Sequence, residues 1–194
     1  MAIAYISSQF ALVGNTITIP VGTTMAIGFC HRISGTGIST PTLTGTAMTS
    51  GSVSSDYVGI YYVDSPVAGN YTLGGFDTRF IYFSGTNGVR AGEINGTTST
   101  TPLATSITSS YDDFIICIAV RYTGTSSGNI TGIKIDGTTI TYIQYYYEGY
   151  RQASGESAAI EVTWGTSGYT LYYAFMSIKS LVASDQSTFM AMIM

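Results

Sequence analysis

An active site in this chain would have to be drawn from one histidine, two cysteines and eleven carboxylates. His31 lies between Cys30 and Arg32 in an apolar run, AIGFCHR, where a buried, hydrogen-bonded imidazole is the plain expectation and a general base or metal ligand the bolder one. Serines are plentiful, but no GxSxG elbow marks one as a nucleophile for a Ser–His–Asp arrangement. A glycosidase needs two carboxylates facing one cleft. Asp56 and Asp64 flank one strand-like run, Asp112 and Asp113 precede another, and Glu148 sits among tyrosines. Asp112–Asp113 before Phe114 and Asp136 before Gly137 have the look of turn residues, whose carboxylates bond local backbone. A Ca²⁺ site from Asp56, Asp64 or Asp77 lacks the Asp-x-Asp-x-Asp spacing that would support it. Gly74-Gly75 has no P-loop lysine beside it. We therefore expect no catalytic residue, no metal ligand and no bound cofactor.

Cys30 and Cys117 could form one bridge at most. Neither has a CxxC partner and both sit inside apolar runs, so reduced, buried thiols are expected.

The densest unusual cluster is Tyr142-Ile-Gln-Tyr-Tyr-Tyr-Glu-Gly-Tyr150. On a strand, Tyr145 and Tyr147 would share one face and Tyr146 the other, so some of these rings must approach the surface. Three uses fit Tyr142, Tyr145, Tyr146, Tyr147 and Tyr150: cross-strand aromatic packing, a subunit interface, or stacking on a glycan. Tyr61 and Tyr62 form a smaller pair earlier in the chain. A second cluster closes the sequence, where Phe189, Met190, Met192, Ile193 and Met194 follow a polar stretch. It is either a last strand of the chain's own sheet or an arm that docks on a neighbouring subunit.

The elements that must carry these residues are strands. Ile17 and Ile19 flank Thr18, Ile133 and Ile135 flank Lys134, and Ile160, Val162 and Trp164 alternate with polar residues. Phe114–Tyr122 and Tyr169–Ile178 are apolar on both faces, as central strands are. Turn clusters such as SGTNG and TGTSSGN separate the runs, and no helical stripe with caps is present. A shift of 89 residues lays 25–84 over 114–173: Met25 meets Phe114, Arg32 meets Arg121 and Gly35 meets Gly124. After a three-residue slip Leu43–Thr49 matches Ile135–Thr141; the 89-residue shift then returns, with Tyr71, Leu73 and Phe80 on Ile160, Val162 and Tyr169. The apolar phase is kept throughout, and a one-residue slip would have lost it. We expect one antiparallel β-sandwich of jelly-roll type over 1–183. Two pseudo-repeated halves (25–84 and 114–173), each giving about four strands, would close their apolar faces on each other, with 184–194 as an apolar tail. Two separate domains are the alternative, weakened by the missing linker.

Composition limits the function. Hydrophobic residues make up 45% of the chain, but charged residues only 9%, against roughly 25% in an average soluble protein. Seven Lys and Arg and a net charge of −4 give no footprint for nucleic acid. A surface of Ser, Thr, Gly, Asn and Tyr offers little repulsion between copies, which suits a protein built into an assembly. The opening MAIAYISSQF has neither the basic start nor the long apolar run of a signal peptide, and no stretch reaches the length of a membrane helix. Cytoplasmic synthesis is expected, and the N-x-T sequons at Asn70, Asn95 and Asn129 are then chance matches.

Three motifs carry a resemblance: Thr18–Gly22 (TIPVG), Leu43–Thr49 (LTGTAMT) and Tyr61–Tyr71 (YYVDSPVAGNY). Over about two thirds of its length the chain resembles a loose family of phage-encoded and bacterial β-sandwich proteins. These motifs are packing and turn signals, specific for fold and nearly silent on activity. The resemblance implies a virion protein, foremost a capsid decoration or cement protein. It would be homo-oligomeric, with a trimer in view, and would contact other virion proteins such as the major capsid protein. A receptor- or carbohydrate-binding module of a tail fibre or lectin kind, contacting a cell-surface glycan, is the second reading, and a hydrolase a distant third.

Overall fold

The computed structural model describes residues 2–32, 37–54, 57–90, 94–98, 102–122, 130–140, 147–164 and 170–181. These residues form strands and turns. The first half of the chain supplies β1 (Ala4–Ala11), β2 (Thr16–Ile19), β3 (Met25–His31), β4 (Thr42–Leu43), β5 (Thr46–Ala47), β6 (Thr49–Ser54), β7 (Val58–Asp64), β8 (Gly69–Gly74) and β9 (Thr78–Ser84). The second supplies β10 (Thr86–Val89), β11 (Ile94–Thr98), β12 (Leu103–Thr108), β13 (Phe114–Tyr122), β14 (Ile130–Ile135), β15 (Thr138–Thr139), β16 (Tyr147–Gln152), β17 (Ser157–Trp164) and β18 (Thr170–Ser180).

Among the described residues all pairings are antiparallel, and they make four sheets. In the first half a large sheet runs β1-β9-β3-β7-β6 and a small one β2-β8-β4-β5. In the second half β18 pairs with β10 and β11 on one side and with β13 on the other; β16 follows β13. Its small sheet runs β12-β17-β14-β15. If β10 and β11 together stand for β1, and β6 is an addition, the two halves have the same strand order.

Three apolar cores result, one more than two separate sandwiches would give. Ile17, Ile19, Ala26, Cys30, Leu43, Leu73 and Phe80 fill the space between the two N-terminal sheets. Ile115, Cys117, Ile133, Ile160, Val162, Trp164 and Phe175 fill the matching space in the C-terminal half. The third core joins the large sheets back to back: Ile27, Phe29, Ile60 and Phe83 from one side meet Ile116, Ile118, Ala174, Met176 and Ile178 from the other. A strand buried on both faces has no need to alternate, which is why β3, β13 and β18 read as unbroken apolar runs.

The expectation of one sandwich with about four strands per half is therefore corrected. The duplicated unit carries two sheets and encloses its own core. The 89-residue shift holds in phase for β3 and β13: Ala26 and Cys30 face the inner core of their half, as do Ile115 and Ala119. The shift is lost before the end of the repeat: Leu43 opposes Leu73 and Ile135 opposes Ile160, so Leu73 answers to Ile160 rather than Val162, and Tyr71 to Ala158 rather than Ile160. Phe80 opposes Gly28, and Phe175 opposes Cys117, so the ladders make Phe175 the counterpart of Phe80. Tyr169, matched to Phe80 in sequence, lies outside the described residues.

Candidate functional site

The two cysteines form no disulfide with each other: each is fully buried, and they lie in different cores. Cys30 Sγ lies 3.4 Å from Thr78 Oγ1. His31 ends β3 opposite Val58. Burial, reinforced by the positive charge of Arg79, lowers its pKa to about 4. At neutral pH it is an uncharged imidazole on a partly covered strand end.

The aspartates fasten the fold. Asp113 is almost wholly buried; its Oδ2 accepts from Arg90 Nε at 2.5 Å, Ser110 N at 3.0 Å and Ser177 Oγ at 3.3 Å. Its Oδ1 accepts from Ser180 N. One carboxylate thus ties the start of β13 to the end of β18 and to the chain after β10. Asp112 holds a left-handed φ of 71° and accepts from Gln152 Nε2. Asp136, in the β14–β15 turn, accepts from Ala159 N, Ser154 N and Ser154 Oγ. Burial alone would raise its pKa, but these hydrogen bonds and the charge of Arg151 hold it below the usual carboxylate range. Asp77 Oδ1 accepts from Val13 N, and Asp64 ends β7. Asp56 lies outside the described residues. Among the described residues no group of three His, Cys, Asp or Glu is placed to hold a metal ion, and no helix is long and apolar enough to cross a membrane.

Most of the tyrosine cluster, Tyr142, Tyr145 and Tyr146, lies outside the described residues, as do Phe189, Met190, Met192, Ile193 and Met194. The backbone of Tyr147 pairs with Ala119 in β16. Tyr150 is half-buried in an aromatic stack. Its ring lies nearly parallel to Tyr5 and Phe114, at centroid distances of 5.9 and 5.6 Å, and meets Phe83 edge-on at 5.0 Å. Burial, with Tyr5 adding to it, raises its pKa. The ladders place Tyr62 as its counterpart: Tyr62 opposes Ile27, Tyr150 opposes Ile116, and both rings pack against the core between the large sheets.

A groove that the sequence reading did not anticipate lies in the N-terminal half. It is half-open, has a volume of about 420 Å³, and lies where the β4–β5 hairpin and the β7–β8 loop leave the two sheets apart. Ile19 and Leu43 form its floor, Tyr71 and Thr46 stand along it, and Val67 and Asp64 lie at its mouth. Thr46 opposes Leu43 and Tyr71 opposes Ile17, so both stand on the inner face of the small sheet. Tyr71 Oη donates to Val67 O at 2.8 Å, which fixes the ring and the loop together. Ser65, on the rim and directly before Pro66, holds a φ of 50°, a left-handed conformation that a non-glycine residue adopts at a cost. The signals were present, in YTL and VDSPV, but each half of the wall reads as ordinary strand or turn until the two are set side by side. Comparison with protein-family models, with curated proteins and with solved structures returns no match to the chain.

Proposed function

We propose that this chain is a non-enzymatic structural protein of a virus particle, a decoration or cement protein of a phage capsid that associates with itself and with other virion proteins. The observation that carries this reading is the strand order. With β6 set aside in the first half and β10 and β11 counted as one strand in the second, each half has eight strands along the chain, one sheet running first-eighth-third-sixth and the other second-seventh-fourth-fifth. That order is what two Greek keys wrapped into a jelly roll would give, an architecture recurrent in capsid and lectin domains. The reading therefore becomes two jelly rolls in tandem, joined through their large sheets. The low charge and the exposed apolar side chains Phe10, Leu12, Val21 and Val67 favour a surface that becomes covered. Asp113, Asp136, Asp112 and Asp77 bond to neighbouring groups of the fold, which favours a non-catalytic role.

Light scattering on the full chain tests this. A discrete oligomer, a trimer above all, supports the assembly role, and deletion of Phe189 to Met194 should then release monomers that keep their strand content. A monomer that also fails to bind purified capsids would overturn it. A receptor- or carbohydrate-binding module is the second reading, favoured by the groove beside Tyr71.

A further inference from the structure

The two halves share a backbone framework at one end, and they finish it differently. The β4–β5 turn, Thr44-Gly45, and the β14–β15 turn, Asp136-Gly137, both have left-handed φ at each residue: 48° and 82° in the first, 50° and 71° in the second. Thr44 exchanges hydrogen bonds with the backbone of Thr72, and Asp136 does so with that of Ala159. The loop after β7 is fastened by Ser65 N to Thr24 O, and the loop after β16 by Ala153 N to Asp113 O. These pairs make the two ends directly comparable.

In the C-terminal half hairpin and loop are tied together. Asp136 reaches across to Ser154 N and Oγ, Ala153 drops into the core, and Ala158 is fully buried. In the N-terminal half each of these three positions is changed. Thr44, a shorter side chain, spends its hydroxyl on Thr72 N. Ser65 is exposed where Ala153 is buried. The ladders set Tyr71, partly exposed, where Ala158 is buried. The same scaffold thus yields a tied end in one half and an open groove in the other.

We infer that the groove is a binding site for a neutral pyranoside, a sugar unit of a glycan. This deepens the second reading above and stands whether or not the chain belongs to a virion. An apolar floor of Ile19 and Leu43 beside the Tyr71 ring suits the C–H face of a pyranose. Hydroxyls of Thr46 and Ser65 and the carboxylate of Asp64 stand at the rim and supply the acceptors and donors that sugar hydroxyls need. No lysine or arginine is among the lining residues, so an anionic sugar would lack a partner there, and Asp64 would repel it. The hydrogen bond from Tyr71 to Val67 holds ring and loop before the ligand arrives, which lowers the ordering cost of binding.

The test uses saturation-transfer NMR on the full chain with methyl glycosides of glucose, galactose, mannose and N-acetylglucosamine, and with glucuronic acid as the anionic comparison. Transfer to at least one neutral glycoside is expected, with none to the acid. Thr46→Trp should fill the groove from an exposed position and abolish the signal, and Asp64→Ala should weaken binding at least tenfold. Asp136→Ala, in the other half, should leave it unchanged. Both groove variants should keep the wild-type circular dichroism. Silence from every neutral glycoside overturns the inference. So does binding that survives Thr46→Trp, which would move the sugar to another surface such as the 142–150 tyrosines. Neither result bears on the oligomeric state, which tests the virion reading separately.

Discussion

At the scale of single residues, two ionisable groups with shifted pKa, His31 and Asp136, shape the response to acid. His31 has a folded pKa of about 4, below its ordinary value of 6.5, so the unfolded chain takes up a proton first as pH falls. Its contribution is unfavourable below pH 6.5, grows down to about 4 and then levels off, reaching at most roughly 3 kcal/mol. Urea midpoints at pH 7 and pH 4.5 should show the wild type losing stability and His31→Gln losing clearly less; equal losses would exclude His31 as the cause. Asp136 acts in the opposite sense to a depressed histidine, since its lowered pKa gives stability above the ordinary carboxylate range that is lost only in stronger acid. Asp113 is the more costly residue to remove. Asp113→Ala would strand the Arg90 guanidinium and the Ser110 and Ser180 amides, at a cost of about 3 kcal/mol. Chemical denaturation measures it, and a loss under about 1 kcal/mol would show that water replaces the carboxylate with ease. The turn positions of Asp112 and Asp136 were legible in the sequence, because Asp before Gly or an apolar run has a local meaning. The reach of Asp113 to β18 was not, because its partners lie more than sixty residues away.

At the scale of elements, the strand periods told the sheet positions well and the pairings poorly. Alternation in β2, β14 and β17 marked the small sheets, which bury one face each. The unbroken runs in β3, β13 and β18 marked central strands, but a continuous run does not say what covers its second face. That ambiguity hid the third core and led to the expectation of four strands per half. Gly51 shows how closely the second face is filled. A Cβ built there would collide with the Met176 sulfur of β18 and lie 3.1 Å from Ile60 O and 3.3 Å from Tyr62 Cδ1. Gly51 also sits at the register shift between Ser50 and Ser52, on the stretch of β6 that lies against Met176 of β18. Gly51→Val should cost about 1–3 kcal/mol through overpacking at this junction. Pairing it with Met176→Ala, which makes room, should restore part of that loss in a double-mutant cycle. Strictly additive costs would show that the two residues do not meet.

At the scale of the whole molecule, the question is whether two sandwiches with the same strand order behave as one body. The duplication was legible in the sequence, since Ala26, Gly28 and Cys30 keep phase with Ile115, Cys117 and Ala119. Its consequence was not, since phase alone cannot distinguish faces that close within a half from faces that close between halves. The core between the large sheets settles how the halves are joined: Ile27, Phe29, Ile116, Ile118 and Met176 are essentially without solvent exposure. Exposing that many large side chains would cost either half on its own about 1.5–3 kcal/mol for each one, a large share of a typical folding free energy. The halves should therefore unfold together. The protein carries its own reporter, because its single tryptophan, Trp164, lies in the C-terminal core. Leu73→Ala opens a cavity in the N-terminal core and should cost about 2–5 kcal/mol. Coupled halves predict that the Trp164 fluorescence midpoint falls together with the circular dichroism midpoint and by the same amount. If the fluorescence midpoint stays while the dichroism curve splits into two steps, the sandwiches are independent, and the shared core is too weak to transmit the loss.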